Sequence, residues 1–207
     1  MTTTGDRRCC TRFVMRLCVL FLLLLAPARS ALAQDGPRVL VTASVSGGAR
    51  VFSGGAGGAG VAASGLLGAG LRASLTWHSG HGGSLGGLWI VDLANSGPIW
   101  HRFWVFDAAY RFHHRMGSGE TSVGVLAGPA LAIAGVTCAI SCGISEAEVA
   151  GLDRTSVGGV VGGFVEHLDE LVAARLALHY YLVSPVDTPE IGAEHLFVAQ
   201  IGIGITG

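Results

Sequence analysis

Apolar and polar residues alternate along most of this chain, and the clearest example is the stretch of residues 171–183. Its even-numbered positions are all apolar from Val172 to Leu182, whereas its odd-numbered positions include Arg175 and His179. A repeat of two is the period of a β-strand, in which successive side chains point to opposite faces. At about 3.3 Å per residue, a tilted strand of this length can cross an apolar layer about 25 Å thick. We therefore interpret the stretch as one strand of a transmembrane β-barrel.

The same alternation recurs in seven further segments, which are separated by Gly, Asn, Pro and acidic residues. No stripe with the helical repeat of 3.6 residues lies between them. The sequence predicts an all-β fold for residues 34–207, an eight-stranded antiparallel up-and-down transmembrane β-barrel, with a secreted β-sandwich as the alternative fold. The predicted strands are residues 39–46, 67–78, 86–94, 99–114, 121–136, 156–167, 171–183 and 195–206.

The predicted connections differ in length. Those after strands one, five and seven are long or decorated (residues 47–65, 137–155 and 184–194), which is typical of outer loops, whereas those after strands two, four and six are shorter, as periplasmic turns are. The glycine-rich residues 54–58 lack the Lys-Ser/Thr ending of a phosphate-binding loop, and we interpret them as part of a flexible outer loop. Pro129 cannot donate a hydrogen bond to a neighbouring strand, so we expect a β-bulge there.

The N-terminus has the organisation of a secretory signal peptide. Four arginines precede an apolar core at residues 17–26, and small residues precede Gln34. We predict that residues 1–33 are cleaved; the apolar core is too short for a membrane-spanning anchor, which is the less favoured alternative. No later run reaches the ~18 uninterrupted apolar residues of a membrane helix, so membrane insertion of residues 34–207 would require a barrel.

Charge and cysteine content narrow the possible partners. The chain has no lysine, and residues 34–207 carry eight arginines against thirteen Asp and Glu, a net charge of −5 that disfavours nucleic-acid binding. Only Cys138 and Cys142 remain after the leader, and an oxidising compartment favours a disulfide between them, with two free thiols as the alternative. Zinc is disfavoured because no His or second Cys pair lies near them in the sequence.

A signal peptide followed by eight alternating segments, with Gly-Gly-Phe-Val-Glu-His at residues 162–167 and Gln-Ile-Gly-Ile-Gly-Ile at 200–205, resembles the small outer-membrane β-barrel proteins of Gram-negative bacteria. The resemblance covers residues 34–207 and rests on pattern. It implies location in the cell outer membrane, contact with outer-membrane lipid and lipopolysaccharide, and insertion by the outer-membrane insertion machinery. Gln200, Gly202 and Ile205 resemble the first part of the family's insertion signal, and Gly207 stands where the family commonly has an aromatic residue.

Charged residues on the predicted strands fall on the polar face, which would point into the barrel. Eight strands enclose an interior that side chains can fill, so we predict an ion-pair network that plugs the lumen. A two-residue turn at Asp169-Glu170 would place Glu166 diagonally to Arg175. A water-filled pore is the alternative, favoured by the many glycines at inward positions. The predicted lumen network consists of Arg72, Asp92, Asp107, Arg111, Glu166 and Arg175.

Aromatic residues lie near the ends of the apolar faces, as expected for two girdles at the membrane interfaces. The aromatic core of a soluble protein is the alternative. The girdle residues are Trp77, Trp89 and Phe112 toward the predicted periplasmic side, and Trp104, Tyr180 and Phe197 toward the outer side.

No combination of residues predicts catalysis, and we predict neither enzyme activity nor a cofactor. His78 and His81 lie near Ser79 and Ser84, but no Asp adjoins them as an orienting partner. A lipid-modifying enzyme is disfavoured because inward Arg and Asp do not suit a hydrocarbon slot. Two functions remain: a structural or surface-interaction barrel with a charge-plugged lumen, and a narrow passive pore for small solutes.

The predicted outer loops are acidic. One reading is a solvated rim; the other is a divalent-cation site beside a disulfide between Cys138 and Cys142, because carboxylate oxygens suit Ca²⁺ or Mg²⁺. Glu146 and Glu148 are the candidate metal ligands. The acidic loop residues are Glu146, Glu148 and Asp153 in one loop, and Asp187, Glu190 and Glu194 in another, with Arg154 the one arginine among them.

Overall fold

The structure, a computed structural model, describes residues 37–55, 58–93, 99–117, 120–138, 154–186 and 192–207. The predicted signal peptide lies outside these residues and stays a prediction. Eight β-strands account for most of the described chain. They are β1 (Arg38–Gly55), β2 (Gly58–Thr76), β3 (His81–Asp92), β4 (Ile99–Met116), β5 (Thr121–Cys138), β6 (Arg154–Asp169), β7 (Val172–Pro185) and β8 (Glu194–Thr206).

The strands form a closed antiparallel barrel in chain order, in which β8 pairs with β1. This confirms the predicted eight-stranded up-and-down barrel. Pairs followed strand by strand from Thr42 return to β1 at Phe52, ten residues further along. A stagger of this kind requires the strands to tilt against the barrel axis.

Side chains alternate between the two faces as the sequence predicts, and β7 shows it most clearly. Leu178 on its outward face is 65% exposed, whereas Tyr181 on its inward face is fully buried. The even-numbered residues of β7 face outward and the odd-numbered ones, Arg175 among them, face the interior. The two-residue repeat therefore separates an exposed, apolar outward face from the side chains that are packed in the lumen.

The barrel has two distinct ends. Three short connections (residues 77–80, 117–120 and 170–171) lie at what we call the turn end, where β1 begins and β8 ends. The opposite, loop end carries the connections after β1, β3, β5 and β7.

The predicted outer loop at residues 47–65 is wrong, because most of it is strand. β1 and β2 continue to Gly55 and from Gly58, so only residues 56 and 57 connect them. The glycines here allow strands to approach closely. A Cβ on Gly48 would lie 1.9 Å from the carbonyl oxygen of Phe197 on β8.

The predicted bulge at Pro129 is also wrong. On either side of it, β4 and β5 keep one register, with Asp107 opposite Ala130 and Tyr110 opposite Ala127. Pro129 stays opposite Gly159 on β6, and its side chain faces outward. A proline removes one donor from the ladder, but it inserts no extra residue.

The turn between β6 and β7 lies at residues 170–171, one residue later than predicted. Glu170 has a positive φ of 31°, and Asp169 pairs with Val172. Glu166 is therefore directly opposite Arg175, not diagonal to it. The shift changes the pairing by two residues and leaves the face of every side chain unchanged.

Candidate functional site in the barrel interior

Two arginines share one carboxylate near the turn end of the lumen. Arg111 on β4 donates to Glu166 Oε2 over 2.6 Å, and Arg175 on β7 donates to Glu166 Oε1 over 3.0 Å. Both guanidinium groups lie over the ring of Phe164, at 4.4 and 4.7 Å from its centroid. We call these four residues the turn-end cluster. Each positive charge is stabilised by a carboxylate oxygen and by an aromatic face.

A second group lies farther along the lumen. Arg72 on β2 donates to both oxygens of Asp107 on β4, over 2.7 and 2.6 Å, and also to Ser84 Oγ over 3.0 Å. The hydroxyl of Tyr181 on β7 donates to Asp107 Oδ2 over 3.1 Å. Since β4 and β7 are not neighbours in the barrel, this bond crosses the lumen.

A third group lies at the loop end. Arg50 on β1 donates to both oxygens of Glu194 on β8, over 3.1 and 3.0 Å, and to Asp92 Oδ2 on β3 over 3.1 Å. Ser64 also donates to Asp92, and Arg154 pairs with Glu194. We call these five residues the loop-end cluster. It joins five strands around one mouth of the barrel.

An apolar layer separates the loop-end cluster from the Arg72–Asp107 pair. On β3, Leu88 and Ile90 are the inward residues between Gly86, beside Arg72, and Asp92. The members of this layer are at most 4% exposed, so side chains fill the lumen at this level. The apolar layer consists of Leu66, Leu88, Ile90, Phe103, Val105, Val160, Val183, Leu196 and Val198.

The inward glycines that favoured a pore accommodate large neighbours. A Cβ on Gly124 would lie 2.3 Å from the ring of Phe164, and one on Gly162 would lie 2.5 Å from the ring of His179. The space that these glycines leave is therefore occupied by packed rings, because interiors of this kind are filled close to crystal density.

All six residues of the predicted lumen network are buried inside the barrel. Within the part of the chain that the structure describes, their ion pairs fall into separate groups. Asp92 belongs to the loop-end cluster, whereas the other five divide between the Arg72–Asp107 pair and the turn-end cluster. The residues named here are Arg72, Asp92, Asp107, Arg111, Glu166 and Arg175.

Three charged residues of the loop-end cluster are absent from the predicted lumen network, although the sequence pattern indicates an inward position for each. Arg50 fell in the predicted outer loop, although it has the same parity as the inward Thr42 and Ser46. Glu194 was assigned to an acidic loop, yet it is the first residue of β8 and only 2% exposed. Arg154, assigned to the other acidic loop, is the first residue of β6. Extending the alternation outward from each predicted strand would have placed all three.

The aromatic girdle residues face outward, but one level was predicted wrongly. Trp89 is paired directly with Trp104, so it lies toward the loop end and not toward the turn end. Tyr180 and Phe197 also pair at the loop-end level, and their rings are 5.0 Å apart. At the turn end, the exposed Tyr110 joins the predicted Trp77 and Phe112.

His81 and Ser84, which follow the first turn, point to opposite faces of β3. His81 faces outward and bonds to the hydroxyl of Tyr110, whereas the buried Ser84 accepts a bond from Arg72. They therefore cannot act as a nucleophile and its base.

The predicted disulfide and calcium site cannot be located in the structure. Cys138 ends β5, while Cys142, Glu146 and Glu148 lie outside the described residues, so both stay predictions. Among the residues that are described, no group of three His, Cys, Asp or Glu side chains could hold a metal ion. In the same part of the chain, no helix is long and apolar enough to cross a membrane.

Several solved structures share this fold. The crystal structure of Ail, the attachment invasion locus protein of Yersinia pestis, in complex with the heparin analogue sucrose octasulfate, has a TM-score of 0.54 and 13% identity over 83% of this chain and 99% of that chain. Neisserial surface protein A has a TM-score of 0.55 and 13% identity over 81% and 95%. The outer membrane protein OprG from Pseudomonas aeruginosa has a TM-score of 0.50 and 10% identity over 84% and 97%.

These likenesses show the fold, which is that of the small eight-stranded outer-membrane β-barrels. No protein-family model matches the sequence, and no curated protein sequence matches it.

Proposed function

We propose that this chain is an outer-membrane β-barrel of a Gram-negative bacterium with a closed interior, and that it serves as a rigid scaffold for surface loops. The proposal makes it a structural or surface-interaction protein, without enzyme activity and without steady conduction. Its support comes from the outward face, from the filling of the lumen and from the likeness to solved structures.

The outward face is suited to lipid between the two aromatic levels. Leu71, Leu85, Leu178 and Ile201 lie there and are 56–66% exposed, which is unusual for a protein surrounded by water. On the described strands, the one arginine that faces outward, Arg102, lies close to the loop end. An outward Arg at the midplane would cost about 2–4 kcal/mol in a bilayer, so this placement supports a membrane location.

The apolar layer is the observation that carries the closed-lumen proposal. Ions and small polar solutes need hydrated or polar walls, and this layer presents buried aliphatic and aromatic carbon. Charged clusters lie on both sides of it, and the bond between Tyr181 and Asp107 spans the interior. Passage would require these groups to separate together, so we do not favour the narrow-pore alternative.

A surface-interaction role is supported by the architecture. Loops on a rigid scaffold are where binding functions concentrate, and the longer connections lie at the loop end. Two of the similar structures are named as an attachment protein and a surface protein. Ail was solved with a sulfated sugar, but the predicted loops here are acidic, which disfavours a polyanion as the ligand of this chain.

The partners that we propose follow from the location. The outward face would contact outer-membrane lipid and lipopolysaccharide, and the chain would need the outer-membrane insertion machinery for assembly. Because the turn end carries three short connections, we place it in the periplasm and the loop end at the cell surface.

Two measurements test the proposal. Purified protein in detergent should show heat-modifiable gel mobility, and planar bilayer recordings should show no steady conductance. Recovery as a water-soluble monomer without detergent would contradict the membrane location. Stable ohmic channels from the unmodified protein would contradict the closed lumen.

A further inference from the structure

A recess opens into the barrel from the turn end. It has a volume of about 260 Å³, and Arg111 and Glu166 form its inner wall. His113 and Ser122 line its sides, and the mouth is formed by exposed residues that include Arg38 and Arg115. The recess therefore connects the turn-end cluster with the medium at that end.

Positive charge exceeds negative charge around this recess. Its described lining contains three arginines and two histidines, and the one acidic side chain in it is that of Glu166. That carboxylate already accepts bonds from Arg111 and from Arg175 behind it. The turn-end carboxylates of Glu120, Asp169 and Glu170 are not part of the described lining.

The buried arginine of the recess has hydrogen-bonding capacity that the described residues do not use. Arg111 is 1% exposed, and its Nε and Nη1 atoms have no hydrogen-bond partner among the residues that the structure describes. Within the same described set, Nδ1 of His113 also lacks a partner. Phe164 lies against the face of the guanidinium and Glu166 accepts from Nη2, so neither residue supplies an acceptor for Nε or Nη1. Buried donors of this kind are costly unless an acceptor reaches them.

We propose that the recess binds a small multivalent oxyanion of the phosphate or phosphomonoester type. Three arginines from two strands surround a space larger than one phosphate group, and arginine matches the geometry of phosphate oxygens. A phosphoester carries a charge of about −1.5 to −2, which suits the excess of positive charge better than a single carboxylate does. In the proposed orientation, this ligand would come from the periplasm.

The test uses the full barrel folded in detergent, in a buffer free of phosphate. Calorimetric titration with inorganic phosphate should show saturable binding, and acetate at the same ionic strength should bind more weakly. The variant R38Q/R115Q removes two exposed charges at the mouth, so the fold is not at risk. Each lost arginine should weaken phosphate binding by up to about fivefold, the upper range for exposed charge pairs.

The matched control is R102Q, which removes an exposed arginine near the loop end. It should leave phosphate binding unchanged. Absence of phosphate binding at millimolar concentration would overturn the proposal, as would equal weakening by R102Q and R38Q/R115Q. Equal affinity for acetate and phosphate would overturn the choice of a multivalent anion. None of these outcomes depends on whether the barrel conducts or on where it is located.

Discussion

Arg72 on β2 and Asp107 on β4 form a bidentate ion pair across the inner surface of β3, the strand that lies between them. The pair is possible because Gly86, on β3 between them, has no side chain. A Cβ there would lie 2.4 Å from Arg72 Nη2 and 2.7 Å from Asp107 Oδ2. The glycine is therefore required for the space that it leaves to the ion pair.

Replacing Gly86 by Ala should destabilise the barrel by about 1–3 kcal/mol, the usual cost of overpacking, because the new methyl group would displace the buried ion pair. Urea unfolding from lipid vesicles, followed by gel mobility, measures the change. The matched control is Gly83→Ala on the same strand, where a Cβ would have no atom within 4 Å. Equal stability of the two variants would contradict this account of Gly86.

In the turn-end cluster, Glu166→Gln should cost more than Arg175→Ala. Loss of the carboxylate leaves two buried arginines uncompensated, and breaking a buried pair in this way costs about 3–5 kcal/mol. Loss of Arg175 leaves Glu166 bonded to Arg111 and should cost about 1.5–3 kcal/mol, the value of a hydrogen bond to a charged group. Unfolding free energies of both variants check the order, and the reverse order would refute it. Neither variant should conduct in bilayers, because the apolar layer remains.

The outward face of β7 provides a test of the membrane location. Leu178→Arg, near the middle of the apolar face, should cost about 2–4 kcal/mol in a bilayer, whereas Ser184→Arg near the loop end should cost about 0–1 kcal/mol. Both positions are exposed, so neither substitution disturbs internal packing. Unfolding from vesicles gives the two values. If both variants are as stable as the original chain, the apolar face does not lie in lipid.

The loop after β5 carries the prediction that comes from the sequence alone. If Cys138 and Cys142 form a disulfide, mass spectrometry of the unreduced protein should show two fewer hydrogens than after reduction.

If carboxylates of the outer loops bind a divalent cation, calorimetry in detergent should detect calcium binding that weakens in Glu146→Gln with Glu148→Gln. No binding at millimolar calcium would leave a solvated acidic rim.

The face of each strand residue could be read from the sequence. A two-residue repeat fixes which side chains share a face, whatever the neighbouring strands do. Arg175 and Glu166 could therefore be assigned to the interior, and Leu178 to the exterior, without a structure. The same repeat extends to Arg50, but the glycine-rich composition around it suggested a loop. That composition is ambiguous, because strands that approach each other closely also require glycine.

The tertiary structure determined the level of each side chain along the barrel axis and the residues that it contacts. The stagger of the barrel and the exact turn between β6 and β7 determine which inward residues meet, and neither follows from the period of the repeat. Tyr181 and Asp107 are 74 residues apart in the chain, yet they bond across the lumen. Likewise, the outward face predicted for Trp89 is correct, but Trp89 lies at the level of Trp104 and not at the predicted periplasmic level. The division of the interior into three charged groups and an apolar layer results from the closed and tilted sheet, since only closure brings side chains of non-neighbouring strands together.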